Sequence, residues 1–223
     1  MFKNRFFQQK NSSVVNGVNL NLHKMDSILI PKQRVGSKLD LSSEKSFNTL
    51  LEAQMFFELA KQRLMNVNQW DEICKAPSSI FRLMNSKGQE IAGMVKEGDF
   101  IRINIPGPGS KVGDGYDWVR VETITAQQIA DEEILSISVR PSHHPLKSFN
   151  EIAHFFKAEA TSTFQVKRKG NVVYAEIHGR NEMPNNTASN IFDKVRNTLI
   201  GWFAKIGFSY PQWKCLAEGL VKH

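Results

Sequence analysis

Only two cysteines occur in this chain, Cys74 and Cys215. Two thiols by themselves build neither a disulfide framework nor a zinc site. Both fall in helical, partly apolar context, so they read as buried free thiols, which fits a reducing cytoplasm. No run of about 18 apolar residues is present, which leaves no candidate transmembrane helix. The opening stretch Met1–Lys10 carries charge but lacks an apolar core of signal-peptide length. No serine, cysteine or carboxylate pair sits in a nucleophile-elbow or acid–base signature. There is also no internal repeat, no low-complexity tract and no evident linker between domains.

What is present is ordinary for a globular protein: 41% hydrophobic and 23% charged residues among 223. The net charge of +7 is unevenly placed. Lys3, Arg5, Lys10, Lys24, Lys32, Arg34 and Lys38 face only Asp26 and Asp40 within the first forty residues. A basic protein suggests an anionic partner, but an excess confined to one terminal stretch reads as a solvated tail and not as a nucleic-acid surface. Residues 1–24 are polar and aperiodic, so weak order is expected there. Residues 25–223 read as one domain.

The chain's dominant feature is its end. Ala188, Ile191, Phe192, Val195, Leu199, Trp202, Phe203 and Ile206 recur at steps of three and four, a stripe wide enough to cover a sheet. Asn185, Asn186 and Thr187 are N-cap candidates before it, and Gly207 suits a left-handed C′ residue after it. Ser209-Tyr-Pro-Gln212 then reads as the capping box of a further helix, with an apolar face at Trp213, Leu216, Ala217, Leu220 and Val221.

Earlier segments alternate between two periods. Ser27–Pro31 reads as a strand. Phe47, Leu51, Met55 and Leu59, with Phe56, Ala60, Leu64 and Val67, make one wide stripe on a helix of about five turns. From Ser79 to Val139 the period is two: Ile80–Met84, Glu90–Val95, Phe100–Ile105, Tyr116–Ile124 and Ile134–Val139. Ser148-Phe-Asn-Glu151 opens a short helix to Lys157. Thr161–Val166 and Val172–His178 form a hairpin through Gly170-Asn171. One face of each strand is more apolar, which favours an antiparallel sheet with one side on a core.

The predicted fold is therefore α+β: about six antiparallel strands, a long helix near the N-terminus and a long closing helix. That order resembles the START-like, or SRPBCC, helix-grip superfamily over about residues 25–208. The resemblance implies a curved antiparallel sheet wrapped around the C-terminal helix. It also implies binding of a small, largely apolar molecule between them. Arg102 or Arg180 would then orient the ligand's polar end, and Phe164, Phe192, Trp202 and Phe203 would contact its body.

Two other readings stay open. One is an interaction module with a filled core; the other is a cyclase- or hydrolase-like enzyme using the same cavity. His178-Gly-Arg-Asn-Glu182 bears on all three. Strict alternation puts His178, Arg180 and Glu182 on the outer face, whereas a bulge at Gly179 would re-aim Arg180 inward. Pro106–Gly115 reads as a rigid inter-strand loop that can form a lip over a cavity. Adjacent histidines such as His143 and His144 point apart more often than they share an ion, so His143, His144, His154 and His178 are assigned no metal. No cofactor is assigned.

Overall fold

The structure, a computed structural model, describes residues 29–74, 79–105, 110–147, 151–185 and 199–222, with backbone alone for 199–209. The chain divides into two units, Met1–Lys32 and Gln33–His223. Of the first, only 29–32 are described. The expected strand Ser27–Pro31 does not extend into them, for Leu29–Pro31 are not in extended pairing.

In the second unit, β1 (Ser37–Ser46) is followed by helix α1 (Leu50–Met65), a 3-10 turn (Val67–Gln69) and the short helix α2 (Trp70–Ile73). Strands β2 (Ile80–Met84), β3 (Phe100–Asn104), β4 (Asp117–Ile129), β5 (Glu132–Pro141), β6 (Thr161–Lys169) and β7 (Val172–Glu182) come next, and α3 (Leu199–Leu220) closes the fold. The seven strands form one sheet in the order β1-β7-β6-β5-β4-β3-β2. Every neighbouring pair is antiparallel. The sheet thus has seven strands where about six were expected: the Glu90–Val95 segment expected as a strand makes only an isolated bridge from Glu90 to Met84, and β1 is added. The added one, β1, carries only Leu39 and Leu41 as apolar residues, too few to announce a strand by pattern.

Alternation sets the two faces of the sheet. Phe81, Leu83, Ile101, Ile103, Val119, Val121, Leu135, Ile137, Val139, Phe164, Val166, Val173, Ala175 and Ile177 point into one core. All three helices pack on that side. In α1, Thr49 supplies a capping box: its hydroxyl accepts the Glu52 N–H, and its own N–H reaches the Glu52 carboxylate. Each such cap contributes about 1 kcal/mol. The helix buries Ala53, Phe56, Phe57, Ala60 and Leu64. Leu51, Met55 and Leu59, expected on the same stripe, are exposed instead, at 66, 68 and 40%. The buried arc is narrower than the apolar one.

Two local expectations fail for physical reasons. The helix expected over Ser148–Lys157 is absent from its described part, Glu151–Lys157. There the backbone is committed across the end of the sheet. Ala153 N–H bonds the Ser142 carbonyl, the Ala153 carbonyl takes the Trp118 N–H, and Phe156 bridges to Pro184. At the other end of the chain, no break occurs at Gly207: α3 is helical through it and through Pro211. Proline has no N–H to give the carbonyl of residue 207, which costs about 3 kcal/mol. Leu216, Leu220 and Val221, exposed by only 1, 0 and 4%, contribute about 1.5–3 kcal/mol each if the helix continues. Burial wins.

The second half of α3 is held against α2. Cys74 and Cys215 form a disulfide with a Cα–Cα distance of 5.2 Å. The expectation of free thiols is therefore wrong, and the reducing compartment inferred from it loses its basis. Spacing alone cannot pair two residues 141 positions apart. Beside the bridge, Arg63 donates to the carbonyls of Gly219, Leu220 and Lys222, which are orphan acceptors at the helix end. No helix among the described residues is long and apolar enough to cross a membrane.

Candidate functional site

The strands that begin or end at one end of the sheet leave a cavity on its inner side. Its described lining includes Ile101, Ile103, Val119, Val139 and Phe164 from the sheet, Trp70 from α2, Gln212 and Trp213 from α3, and His154, Phe155 and Phe156 from the crossing segment. The cavity volume is about 50 Å³. That volume holds only a few waters or a few ligand heavy atoms. Phe164 lies 4.9 Å from the Trp70 ring and 5.3 Å from the Trp213 ring, centroid to centroid. Phe81 is 5.4 and 5.8 Å from the same two rings. Four aromatic rings from sheet and helices thus form a wall at ordinary edge and tilted distances.

Ser79, His154, Ser162, Glu182 and Gln212 are the polar residues of this otherwise apolar lining, and two of them carry side chains of particular interest. The first is Gln212. Its Oε1 accepts from the Ser79 N–H at 3.2 Å and from the Ser79 hydroxyl at 2.6 Å. A backbone N–H can only donate, so the oxygen must face Ser79 and the orientation of the amide is settled. Its Nε2 is buried and has no hydrogen-bond partner among the described residues. A buried donor left unsatisfied costs about 1–3 kcal/mol.

The second is Glu182, and a bulge puts it there. Ser37 pairs with Glu182 while Leu39 pairs with Gly179, so β7 carries one residue more than β1 at this point. Asn181 has φ +56°, the left-handed region that asparagine tolerates better than most residues. Its carboxamide oxygen anchors the turn by accepting the N–H groups of Arg34 and Val35. The extra residue shifts the alternation, and Glu182 emerges on the inner side. Gly179 makes room, since a Cβ there would stand 2.1 Å from Glu182 Oε1. Burial pushes the Glu182 carboxyl above the usual range. The Ser37 hydrogen bond and the charge of Arg180 offset this only partly.

Of the six ligand contacts expected from sequence, only Phe164 is observed to line the cavity. Arg102 alternates with the inward Ile101 and Ile103 and so lies on the outer face. There it pairs with Glu90 at 3.4 Å and sits 4.7 Å from the Tyr116 ring centroid. Arg180 is also on the outer face: it donates to the carbonyls of Leu39 and Gly179 and pairs with Asp40 at 2.6 Å. A bulge does form near Gly179, but it turns Glu182 inward and leaves Arg180 outside. Neither arginine is among the described residues that line the cavity. Phe192 lies outside the described residues, and Trp202 and Phe203 belong to the part of α3 described by backbone alone.

The outer face carries its own charge cluster. Burial raises the Asp40 carboxyl, but the His178 and Arg180 hydrogen bonds and charges outweigh it and hold that carboxyl low. The four histidines do not converge: His178 is on Asp40, His144 stacks edge-on against Trp118, His143 meets Phe100 and His154 lines the cavity. Among the described residues, no group of three or more potential metal ligands exists. Residues 106–109 of the loop expected as a lip lie outside the described residues. Its described half, Ser110–Gly115, lies against Trp118, whose indole N–H donates to the Gly113 carbonyl on the outer side.

Sequence reading missed Gln212, Trp213, Trp70 and Glu182 as cavity groups. Trp70 and Trp213 each show an apolar ring in helical context, which signals burial but not what is next to it. The signal for Glu182 was the Gly179–Asn181 stretch, read for the wrong residue.

No protein-family model and no curated protein sequence matches the chain. Solved structures similar to it include a hypothetical protein of Helicobacter pylori, at 10% identity, a TM-score of 0.45, and coverage of 82% of this chain and 87% of that one. The major latex-like protein 151 of Panax ginseng matches at 15% identity and a TM-score of 0.34, over 82% of this chain and 97% of its own. Ara h 8.0201 matches at 10% identity and 0.31, over 81 and 99%.

Proposed function

We propose that the protein binds a small, largely apolar molecule, without covalent chemistry, in the cavity between the sheet and the second half of α3. The observation that supports this reading is a void walled by Trp70, Phe81, Phe164 and Trp213 within the core. Protein interiors normally close to crystal-like density. A retained apolar void with a few polar groups is the usual form of a ligand site. The small deep volume selects compact ligands, or ligands whose larger part lies toward the mouth.

Native mass spectrometry of protein purified from its own host tests the proposal, and a co-purifying small molecule is the expected result. Val139→Phe, which projects a ring into the void, should abolish that adduct while the variant remains folded. An adduct retained by the variant would overturn the assignment of the site.

One observation favours a second reading. Leu51, Met55 and Leu59 form an exposed apolar row along α1, beside a shallow groove of about 550 Å³ lined by Lys45, Phe47, Met55, Phe56 and Leu59. Such a row suits an interaction module that docks the apolar face of another protein. Leu51→Ser with Met55→Ser would remove that docking and leave the cavity adduct unchanged.

A further inference from the structure

The polar groups of the cavity specify more than its apolar wall does. Both oxygen lone-pair directions of Gln212 are used by Ser79, so the side chain is fixed and its NH₂ is presented as a donor. That donor is buried and unmatched among the described residues. A group that completes it must be an acceptor. An alcohol, an amine or a hydrocarbon completes it less well than a carbonyl, whose oxygen carries two lone pairs and no competing proton.

Charge narrows the class further. No lysine or arginine is among the described residues that line the cavity; the titratable ones are Glu182 and His154. Arg102 and Arg180, the cations nearest in sequence pattern, are committed to Glu90 and Asp40 on the opposite face. Among the described lining residues, a ligand carboxylate would therefore be desolvated without a lysine or arginine counter-charge and with a second carboxyl in the same void. The same lining offers aromatic rings and one carboxyl to an ammonium, but an ammonium leaves the Gln212 donor unsatisfied.

We propose that the molecule bound in the cavity is uncharged and presents a carbonyl oxygen, as in a ketone, aldehyde or ester, to Gln212 Nε2. The inference rests on the cavity-binding reading above, and the test separates the two.

Four probes share a phenyl ring and nine heavy atoms and differ only at the polar end: acetophenone, isopropylbenzene, 1-phenylethylamine and benzoate. Each is titrated at pH 7 into the full chain, with the side-chain amide of Gln212 followed by ¹H–¹⁵N NMR. That resonance is assigned by its loss in Gln212→Leu. Acetophenone should bind about fivefold more tightly than isopropylbenzene, the fold-change expected from one net hydrogen bond. It alone should shift the Gln212 amide protons strongly downfield. The amine and benzoate should bind more weakly than either.

In Gln212→Leu the ketone preference should vanish. Gln212→Glu, which keeps an oxygen for Ser79 and removes the donor, should lose it too and guards against misfolding of the first variant. If acetophenone and isopropylbenzene bind equally to the wild type, or if the amine or benzoate binds best, the carbonyl assignment falls and the cavity reading stands. A ketone preference that persists in both variants also overturns the assignment. If none of the four binds, both fall.

Discussion

Trp70→Ala probes the junction of core and cavity most directly. Trp70 is 1% exposed. Its ring meets Phe81 and Phe164 at 5.4 and 4.9 Å, and its indole N–H donates to the Leu64 carbonyl at 3.1 Å. Truncating a buried tryptophan to alanine costs about 3–5 kcal/mol. Loss of the hydrogen bond to the last turn of α1 adds about 1 kcal/mol. One effect acts the other way. The space vacated joins a cavity that already holds Ser79 and Gln212, so water can enter and relieve part of the penalty. The expected loss is therefore about 4 kcal/mol, read as the shift in urea midpoint at constant slope. The enlarged cavity should then accept isopropylbenzene better than the wild type does. At one hundred times its dissociation constant, such a ligand returns about 2.7 kcal/mol. A loss below about 1.5 kcal/mol would show that the ring is not core. A full loss without recovery on adding ligand would show that the vacated space is not continuous with a binding cavity.

Two further outcomes are expected. Gly219→Ala should destabilise by about 2 kcal/mol or more in the same melts although alanine is the better helix former by about 1 kcal/mol, because a Cβ there would stand 2.2 Å from Ile73 Cγ2 and 2.7 Å from the Ile73 carbonyl oxygen. A stabilised variant would mean that α3 does not lie against α2 as described. Glu182 gives a pH signature: with its carboxyl raised by burial, its favourable contribution is fully present below the unfolded value near 4.5 and is lost as pH rises through the folded value. Relative to Glu182→Gln, the wild type should lose stability from about pH 4.5 upward and then level off; a flat or rising difference would show that the carboxyl is not in the cavity.

The arrangement was legible in sequence where burial and period agree. Ile101, Ile103 and Ile105, or Val173, Ala175 and Ile177, alternate against polar partners, and a half-buried antiparallel strand is the form that satisfies such a pattern. The hairpin Thr161–Val166 to Val172–His178 was readable from Gly170, whose φ of +55° the turn requires. Strand β1 was not, because an edge strand needs few apolar residues when its partner supplies the hydrogen bonds. The Glu151–Lys157 segment was misread because its local capping signal competes with backbone bonds to Ser142, Trp118 and Met183, and those partners lie far away in sequence. The disulfide was out of reach for the same reason.

The site itself depended on a single backbone torsion. Period-two reasoning assigns faces by counting, and one inserted residue reverses every assignment beyond it. Before Asn181 the count holds, so Arg180 stays outside with Asp40. After it the count is reversed, so Glu182 enters. Had the strand run on without the bulge, the inner wall would have carried no carboxyl. Had the bulge come two residues earlier, Arg180 would turn inward together with Glu182, and the void would hold an ion pair in place of a lone carboxyl. The charge of the described cavity lining is thus set by where β7 absorbs its extra residue, and that position is held by Asn181 through the Arg34 and Val35 amides. Arg34 and Val35, which hold Asn181 in place, belong to a different segment from the residues described as lining the cavity, so no motif in the lining could have disclosed them.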